Sequence, residues 1–493
     1  MVSTNQPNII VFVADDLGWG DLGSYGARKI PTPNIDALAA EGKIFTDAHA
    51  SSAVCTPSRY SLMTGEYPWR SPLERGVLGG TDPSIIRNRQ LTLARALKEA
   101  GYRTGAFGKW HLGMDWTDKD GRRRSAFASD TFTPQMQADG RDIDYSLPAR
   151  NGPIDHGFDT FFGIAGSLDM PPYCFIEQDR TLGVPSVEKE PLITSQRPGL
   201  QVPGWQDDQV DIEVCRRTVD WVKQVDDRPL FAYVASAAPH RPCVPPEFLR
   251  GKSDAGPRGD SVMLVDWMMG QIISALQEVG QWENTYVFFT SDNGAPLIFP
   301  EDGDVVEHAP NGPWRGQKGD AWEGGHRVPL VVKGPSVPQS THSDTLVSLV
   351  DILPTLANLI GFVDLGPLDG TSIPFDELPR AESEWVEQNE RADLAERVIG
   401  QQAFNGMLSL RRGLEKAIFG AGSGGFSDPV GAPNATDGQY FNLESDPAES
   451  ANRWEERFDV AQSLLRDFTS ATGLSLDSSG YVHSPAIDPG EGN

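Results

Sequence analysis

The segment Ile9-Ile10-Val11-Phe12-Val13-Ala14 runs without a polar break into Asp15-Asp16. A run that is apolar at every position suits a strand buried on both faces, and the two carboxylates mark where it leaves the sheet. Residues 102–107, 229–236, 285–290 and 328–333 repeat the pattern as short β-branched or aromatic runs, most of them ending in Gly, Asp, Ser or His. Amphipathic stretches lie between them. Thr32-Pro33-Asn34 opens one that stops at Gly42, and others stop at Gly101, Gly280 and Gly361, the usual place for glycine past a helix C-terminus. This alternation predicts an α/β fold, a large and mostly parallel sheet sandwiched by helices, in which polar residues beyond the strand C-termini converge on one edge.

Residues 115–160 and 167–210 are rich in Asp, Gly, Pro and Arg with weak periodicity, the composition of long loops that shape a cleft. After about residue 365 the pattern changes. An acidic helical stretch near 377–398, strands at 407–411, 416–419 and 439–442, the turn Gly420-Ala421-Gly422-Ser423-Gly424-Gly425 and a helix from about 451 to 472 follow. The expected division is a catalytic α/β domain over residues 1–365 and a smaller C-terminal α+β domain, an antiparallel sheet with a helix, over 366–493.

Asp and Glu number 69 against 42 Lys and Arg, a formal charge of -27 over 493 residues. That balance excludes a general nucleic-acid-binding surface, so an anionic ligand requires a local cationic pocket. No apolar run has membrane-spanning length, so no membrane association is expected. The first basic residue is Arg28, which leaves no positive n-region and makes 9–14 a buried strand rather than a secretory signal. Cysteines at 55, 174, 215 and 243 form no CxxC pair, which argues against zinc, redox chemistry or a disulfide framework.

One segment stands out chemically, Cys55-Thr56-Pro57-Ser58-Arg59. Pro57 suits the first turn of a helix, which sets residue 55 at the N-terminus, where backbone N–H groups favour an anion. Arg59 follows one turn on, on the same face. Alone, such a match reads more readily as a buried cysteine beside a helix cap. It has company. Asp15-Asp16 and Asp292-Asn293 end two strands and offer hard oxygen ligands of the kind calcium or magnesium takes, whereas zinc or copper would recruit His or Cys. Lys109 and His111 follow the strand at 102–107, His240 follows 229–236, and Lys318 precedes the strand at 328–333. Cationic side chains at so many strand ends of so acidic a chain read collectively as a site.

Together these residues resemble the sulfatase family of the alkaline phosphatase superfamily, from about Pro7 to Pro335 with a weaker echo near 440–447. The resemblance implies an alkaline phosphatase-like fold and hydrolysis of a sulfate ester. In that family the cysteine of the CxPxR motif is oxidised to formylglycine by a formylglycine-generating enzyme, and the aldehyde hydrate supplies the nucleophilic oxygen. Carried over by motif, Asp15, Asp16, Asp292, Asn293 and the modified residue 55 hold one calcium ion. Arg59 holds the hydrate, Lys109 and Lys318 clamp the sulfate, His111 contacts the hydrate and His240 assists the leaving oxygen. The same resemblance implies a periplasmic or secreted enzyme if a leader was removed, and a cytoplasmic one otherwise.

Phosphonate monoester hydrolases and phosphodiesterases share the motif and the carboxylates, although two lysines around one metal favour sulfate. A carbohydrate-binding relative that has lost catalysis is the non-enzymatic alternative. The expected substrate is a sulfated small molecule or oligosaccharide. Asp169 and Tyr173, in the loop of residues 167–173, are the candidate sugar contacts, with His308 and Arg315 beside them. Trp69, Trp110, Trp116, Trp314 and Trp322 lie near motif segments but read as core more readily than as stacking platforms.

Overall fold

The computed structural model describes residues 6–124, 139–224, 226–297, 307–362, 364–375, 394 and 396–484. In chain order the first strands are β1 (Asn8–Ala14), β2 (Lys43–His49), β3 (Arg103–Lys109), β4 (Thr160–Ile164), β5 (Ile176–Glu177) and β6 (Arg180–Thr181). The small ribbon of β7 (Val187–Glu188) and β8 (Leu200–Gln201) follows. Then come β9 (Leu230–Ala235), β10 (Thr285–Ser291), β11 (Arg327–Lys333), β12 (Thr341–Ser343) and β13 (Val347–Ser348). The main sheet has the order β12-β2-β11-β10-β1-β9-β3-β4-β5-β6, with β13 also on β2. Its middle, β10-β1-β9-β3-β4, is parallel. Both flanks contain antiparallel pairs, β10–β11–β2 on one side and the tight meander β4–β5–β6 on the other, which such short connections can join only antiparallel. The sheet is therefore mixed around a parallel centre.

Alternation along β1 divides the core in two. Ile9, Val11 and Val13 face one apolar layer with α2 (Cys55–Thr64), α3 (Leu93–Glu99) and α7 (Ile352–Ile360). Ile10, Phe12 and Ala14 face the other with α1 (Pro33–Ala40), α4 (Val210–Val222) and α5 (Gly256–Glu278). Each large side chain taken fully out of water contributes roughly 1.5–3 kcal/mol, which fixes β1 in register and aims its end at the loops beyond. The predicted helices are present at Pro33–Ala40, Leu93–Glu99 and Ile352–Ile360, and the one expected to stop at Gly280 spans Gly256–Glu278. Among the described residues no helix is long and apolar enough to cross a membrane.

Beyond residue 398, β14 (Ile399–Gln402), β15 (Leu408–Arg412), β16 (Glu415–Phe419) and β17 (Gln439–Asn442) form an antiparallel sheet covered by α8 (Phe458–Thr472). Leu464 and Phe468 of α8 pack with Leu408, Leu410 and Tyr440, and the same cluster takes in Tyr67, Trp69 and Val350. The other face meets Ala321 and Trp322, beside α6 (Glu323–His326). A buried ionic network joins the two sheets: Arg411 lies 3.0 Å from Asp47 and 2.8 Å from Glu323, and Lys416 lies 3.0 Å from Glu323 and 2.8 Å from Glu449. The acidic stretch expected near 377–398 falls largely outside the described residues.

Candidate active site

Three parallel strands deliver polar groups to one place. β1 ends in Asp15 and Asp16, the latter with a left-handed backbone (φ 63°), and its N–H donates to Asp292 Oδ1 at 3.1 Å. β10, its neighbour, delivers Asp292 and Asn293, and β3 delivers Lys109 and His111. Helix α2 begins at residue 55 and all ten of its residues are buried. The segment before it is clasped by β14, with Gln402 N–H donating to Ser51 O at 3.0 Å and Ala53 N–H to Gln402 O at 2.8 Å. The start of α2, and with it residue 55, is thus held in a fixed position.

The charged groups interlock. Lys109 Nζ lies 2.8 and 2.7 Å from the two oxygens of Asp15, and Lys318 Nζ lies 2.7 and 2.8 Å from those of Asp16. Arg59 reaches Asp292 Oδ2 through Nε at 2.8 Å and through a terminal nitrogen at 2.7 Å, and it donates to Tyr233 Oη at 3.3 Å. His240 Nε2 is 3.6 Å from Asp16, and its Nδ1 lies 2.6 Å from Arg241 O. His111 Nε2 is 2.8 Å from Leu78 O. Asn293 Nδ2 donates to Asp16 at 2.7 Å, leaving its buried Oδ1 without a hydrogen-bond partner. Ligand atoms of Asp15, Asp16, Cys55 and His240 all lie within 4.8 Å of one another.

Electrostatics follow from burial and neighbours. Burial raises the Asp15 and Asp16 carboxyls, but the nearby Lys109, Lys318 and His240 outweigh it, holding Asp15 well below the usual range and lowering Asp16 as well. Burial wins at Asp292, whose carboxyl is raised despite Arg59. Burial also pushes the Cys55 thiol up to about 12, against the pull of Lys109 and Lys318, so the encoded thiol is neutral at ordinary pH and a poor nucleophile. Burial, reinforced by Lys109, lowers His111 well below its ordinary value, which leaves the ring neutral, with its buried Nδ1 free of a hydrogen-bond partner.

A cavity of about 580 Å³ opens onto this cluster. Asp16, Cys55, His111, His240 and Lys318 line it at one end, and Asp169, Gln196 and Arg197 line it from the long loop. The carboxylate of Asp169 has a buried Oδ1 without a hydrogen-bond partner, while Oδ2 sits 3.3 Å from Arg197. The candidate contacts Tyr173, His308 and Arg315 do not line the cavity. Tyr173 is 1% exposed and donates to Arg197 O at 2.6 Å, which holds the loop. His308 lies 2.7 Å from Asp21, which Arg258 also binds while donating to Asp16 O at 3.0 Å, a brace beneath the carboxylate turn. Arg315 stacks on Trp322, 3.6 Å from the ring centroid. Trp69, Trp110, Trp116 and Trp322 are buried in the core.

Sequence reasoning missed several participants. Tyr233 sits inside an apolar strand, where only its hydroxyl sets it apart from its neighbours. Asp211 on α4 accepts N–H bonds at 2.8 Å from both Ala237 and Ala238, just before His240. Phe404 and Phe426 line the cavity from far along the chain, and the glycine-rich turn around Phe426 was the one available signal.

A family model described as "Sulfatase" matches residues 7–362. An N-acetylgalactosamine-6-O-sulfatase of Bacteroides thetaiotaomicron is 30% identical over 94% of this chain and 92% of its own length. The 6S-sulf protein from a Bacteroides thetaiotaomicron locus for the metabolism of multiple glycosaminoglycans has a solved structure that covers 95% of this chain and 100% of its own. Its TM-score is 0.76 and its identity 29%. The phosphonate monoester hydrolase of Agrobacterium radiobacter, 19% identical with a TM-score of 0.58, covers 98% of this chain and 100% of its own and shares the fold.

Proposed function

Because the chain belongs to the sulfatase family, we propose that it hydrolyses the sulfate ester of a sulfated carbohydrate, with residue 55 as nucleophile in formylglycine form and one calcium ion beside it. A 6-O-sulfated N-acetylgalactosamine is the first substrate to test, on the strength of the relative named for that activity. The observation that carries the reading is the grouping of residue 55 with three carboxylates and three cations at the head of one cavity.

The donor set fits a hard dication. Asp15, Asp16, Asp292 and the unpartnered Asn293 Oδ1 are buried oxygens, and conversion of residue 55 exchanges its sulfur for oxygen and makes the set uniform. The formal charges of the three carboxylates, Arg59, Lys109 and Lys318 cancel, so a bound calcium ion supplies the positive excess that an anionic ester requires. A hydrated aldehyde at residue 55 supplies two hydroxyls, one to attack sulfur and one whose deprotonation expels sulfate and restores the carbonyl.

The chain's own groups do the rest. Lys109 and Lys318 neutralise the sulfate oxygens as sulfur is attacked, and Arg59 orients residue 55. His240 donates a proton to the departing sugar oxygen, and neutral His111 accepts the proton released when sulfate leaves. Asp169, whose Oδ1 lacks a hydrogen-bond partner, holds a sugar hydroxyl. The phosphonate reading shares the carboxylates but has no specific observation in its favour over sulfate.

Mass analysis of the peptide bearing residue 55 should show loss of the thiol sulfur and gain of an aldehyde oxygen, and Cys55→Ala should abolish turnover in a protein that still folds. Substantial activity in that variant sinks the covalent scheme, and parallel kinetics that prefer a phosphonate monoester to every sulfated sugar sink the choice of ester.

A further inference from the structure

Ala295 lies two residues beyond the candidate ligand Asn293 and is fully buried, so its backbone N–H and carbonyl need partners within the fold. One side chain serves both. Asn311 Oδ1 accepts from Ala295 N–H at 2.8 Å, and Asn311 Nδ2 donates to Ala295 O at 2.9 Å. The same carbonyl accepts from Lys318 N–H at 2.9 Å, and Asn311 Nδ2 also reaches Gly316 O at 3.3 Å. The residue before this carboxamide is tied to the turn that follows β1. Gly20 N–H donates to Pro310 O at 2.7 Å, and a Cβ at Gly18 would lie 2.1 Å from that oxygen and 2.9 Å from the Ala295 methyl, so only glycine lets the three chains meet. Asp15 and Asp16, Asp292 and Asn293, and Lys318 thus sit on three segments that converge on residues 310 and 311.

We propose that Asn311 is a positioning residue for the acid cluster: by holding Ala295 against the Lys318 segment, it sets where Asn293 and Lys318 stand relative to the aspartates that end β1. This inference rests on the proposed function and names a residue on which its cation site depends. Chemistry as well as size suits the side chain to the task. A carboxamide carries an acceptor and a donor side by side, so it can answer the N–H and the carbonyl of one residue together, which neither a carboxylate nor an aliphatic group of similar volume can do. Leucine in its place would leave the buried Ala295 N–H without a partner, and aspartate would press an oxygen against the Ala295 carbonyl. Either change frees the Asn293 turn to move. A calcium ion needs its oxygens at fitting distances, and the groups that support its ligands commonly govern affinity by about 10–100-fold. Asn311 does not line the cavity and acts through the residues it holds.

The test titrates calcium calorimetrically into the full chain freed of metal. Asn311→Leu and Asn311→Asp should each weaken calcium binding by about tenfold or more. At saturating calcium, with residue 55 converted, both should lower kcat by about tenfold or more through the displaced Lys318. A purely structural role would lower the melting temperature and leave the calcium affinity of the folded protein as it was. Wild-type affinity in the folded variants therefore overturns the proposal whatever their melting temperature, as does wild-type affinity in Asn311→Asp alone, which keeps the acceptor and loses the donor. Should Asn311→Leu fail to fold, the near-isosteric Asn311→Asp carries the test. The wild type supplies a measurement that needs no variant: calcium should slow hydrogen exchange of the Ala295 amide, and exchange indifferent to calcium overturns the coupling. A wild-type chain that binds no calcium defeats the ligand assignment of the proposed function and the positioning role with it, whereas wild-type binding with indifferent Asn311 variants defeats the positioning role alone.

Discussion

At the scale of single residues, two histidines on the same cavity have opposite surroundings. His111 is buried beside Lys109 and stays neutral, while His240 stands at the cavity wall, 3.6 Å from Asp16. A proton donor matters most when the leaving oxygen is a poor one. His240→Ala should therefore cut kcat on a sugar sulfate by about 10²–10⁴-fold and cut it far less on a nitrophenyl sulfate, whose phenolate leaves unaided. Equal losses on the two esters would remove His240 from the acid role. The thiol of Cys55 was legible as special from Pro57 and Arg59. Its neutrality was not, because that depends on burial, and to a smaller degree on Asp292 and Asp15, all of which only the fold supplies.

At the scale of elements, what positions His240 is a helix that the sequence reading passed over. The carboxylate of Asp211 on α4 gathers the N–H groups of Ala237 and Ala238 and so fixes the chain three residues before His240. Asp211→Ala should lower kcat between about tenfold and a hundredfold, as small displacements of a reacting group do, with KM nearly unchanged. A shift in KM alone would assign Asp211 a different part. The same logic applies to β1 and β10, whose ends bring the three acids together. Verified removal of calcium should lower the melting temperature, and readdition should raise it in proportion to the logarithm of the free ion. A melting temperature indifferent to the ion would reject the ligand assignment without reference to turnover. Strands β1 and β10 could be read almost to the residue because they are buried throughout and apolar at their centres. β2, with Lys43 and Asp47 in it, and β14, with its two glutamines, hid because polar residues interrupt their apolar pattern, and at Asp47 the partner that offsets burial, Arg411, lies hundreds of residues away. Tyr173 and His308 were hard to place for a related reason: a hydroxyl or imidazole in a loop looks the same in sequence whether it faces a ligand or, as these two do here, braces its neighbours.

For the molecule as a whole, buried acids set the response to pH. Burial pushes the Glu449 carboxyl up to about 7, and the Asp211 and Asp266 carboxyls up to about 6. A carboxyl raised on folding costs nothing while it is protonated in both states, and its cost grows as pH climbs from the ordinary carboxylate range to the raised value. Asp47 and Glu323 act in the opposite sense. Their carboxyls are raised by burial but lowered more by Arg411 and its neighbours, so the stability they lend holds above the ordinary range and fades as pH falls through it. The melting temperature of the calcium-loaded protein should therefore decline between about pH 5 and pH 7, and Glu449→Gln should flatten that decline. A profile that rises across the interval, or a Glu449→Gln profile parallel to wild type, would contradict the assignment. The burial of residue 55 has a different kind of consequence, one of timing. Its side chain is 2% exposed, and the backbone just ahead of it is pinned by Gln402 and by Gly319, whose N–H donates to Ala53 O at 2.7 Å. Those two fasteners are translated long after the cysteine. If the proposed conversion takes place, a catalyst acting on this thiol would have to reach it before Gln402 and Gly319 close over the segment, which would set the ripening of the nucleophile against the closing of the fold.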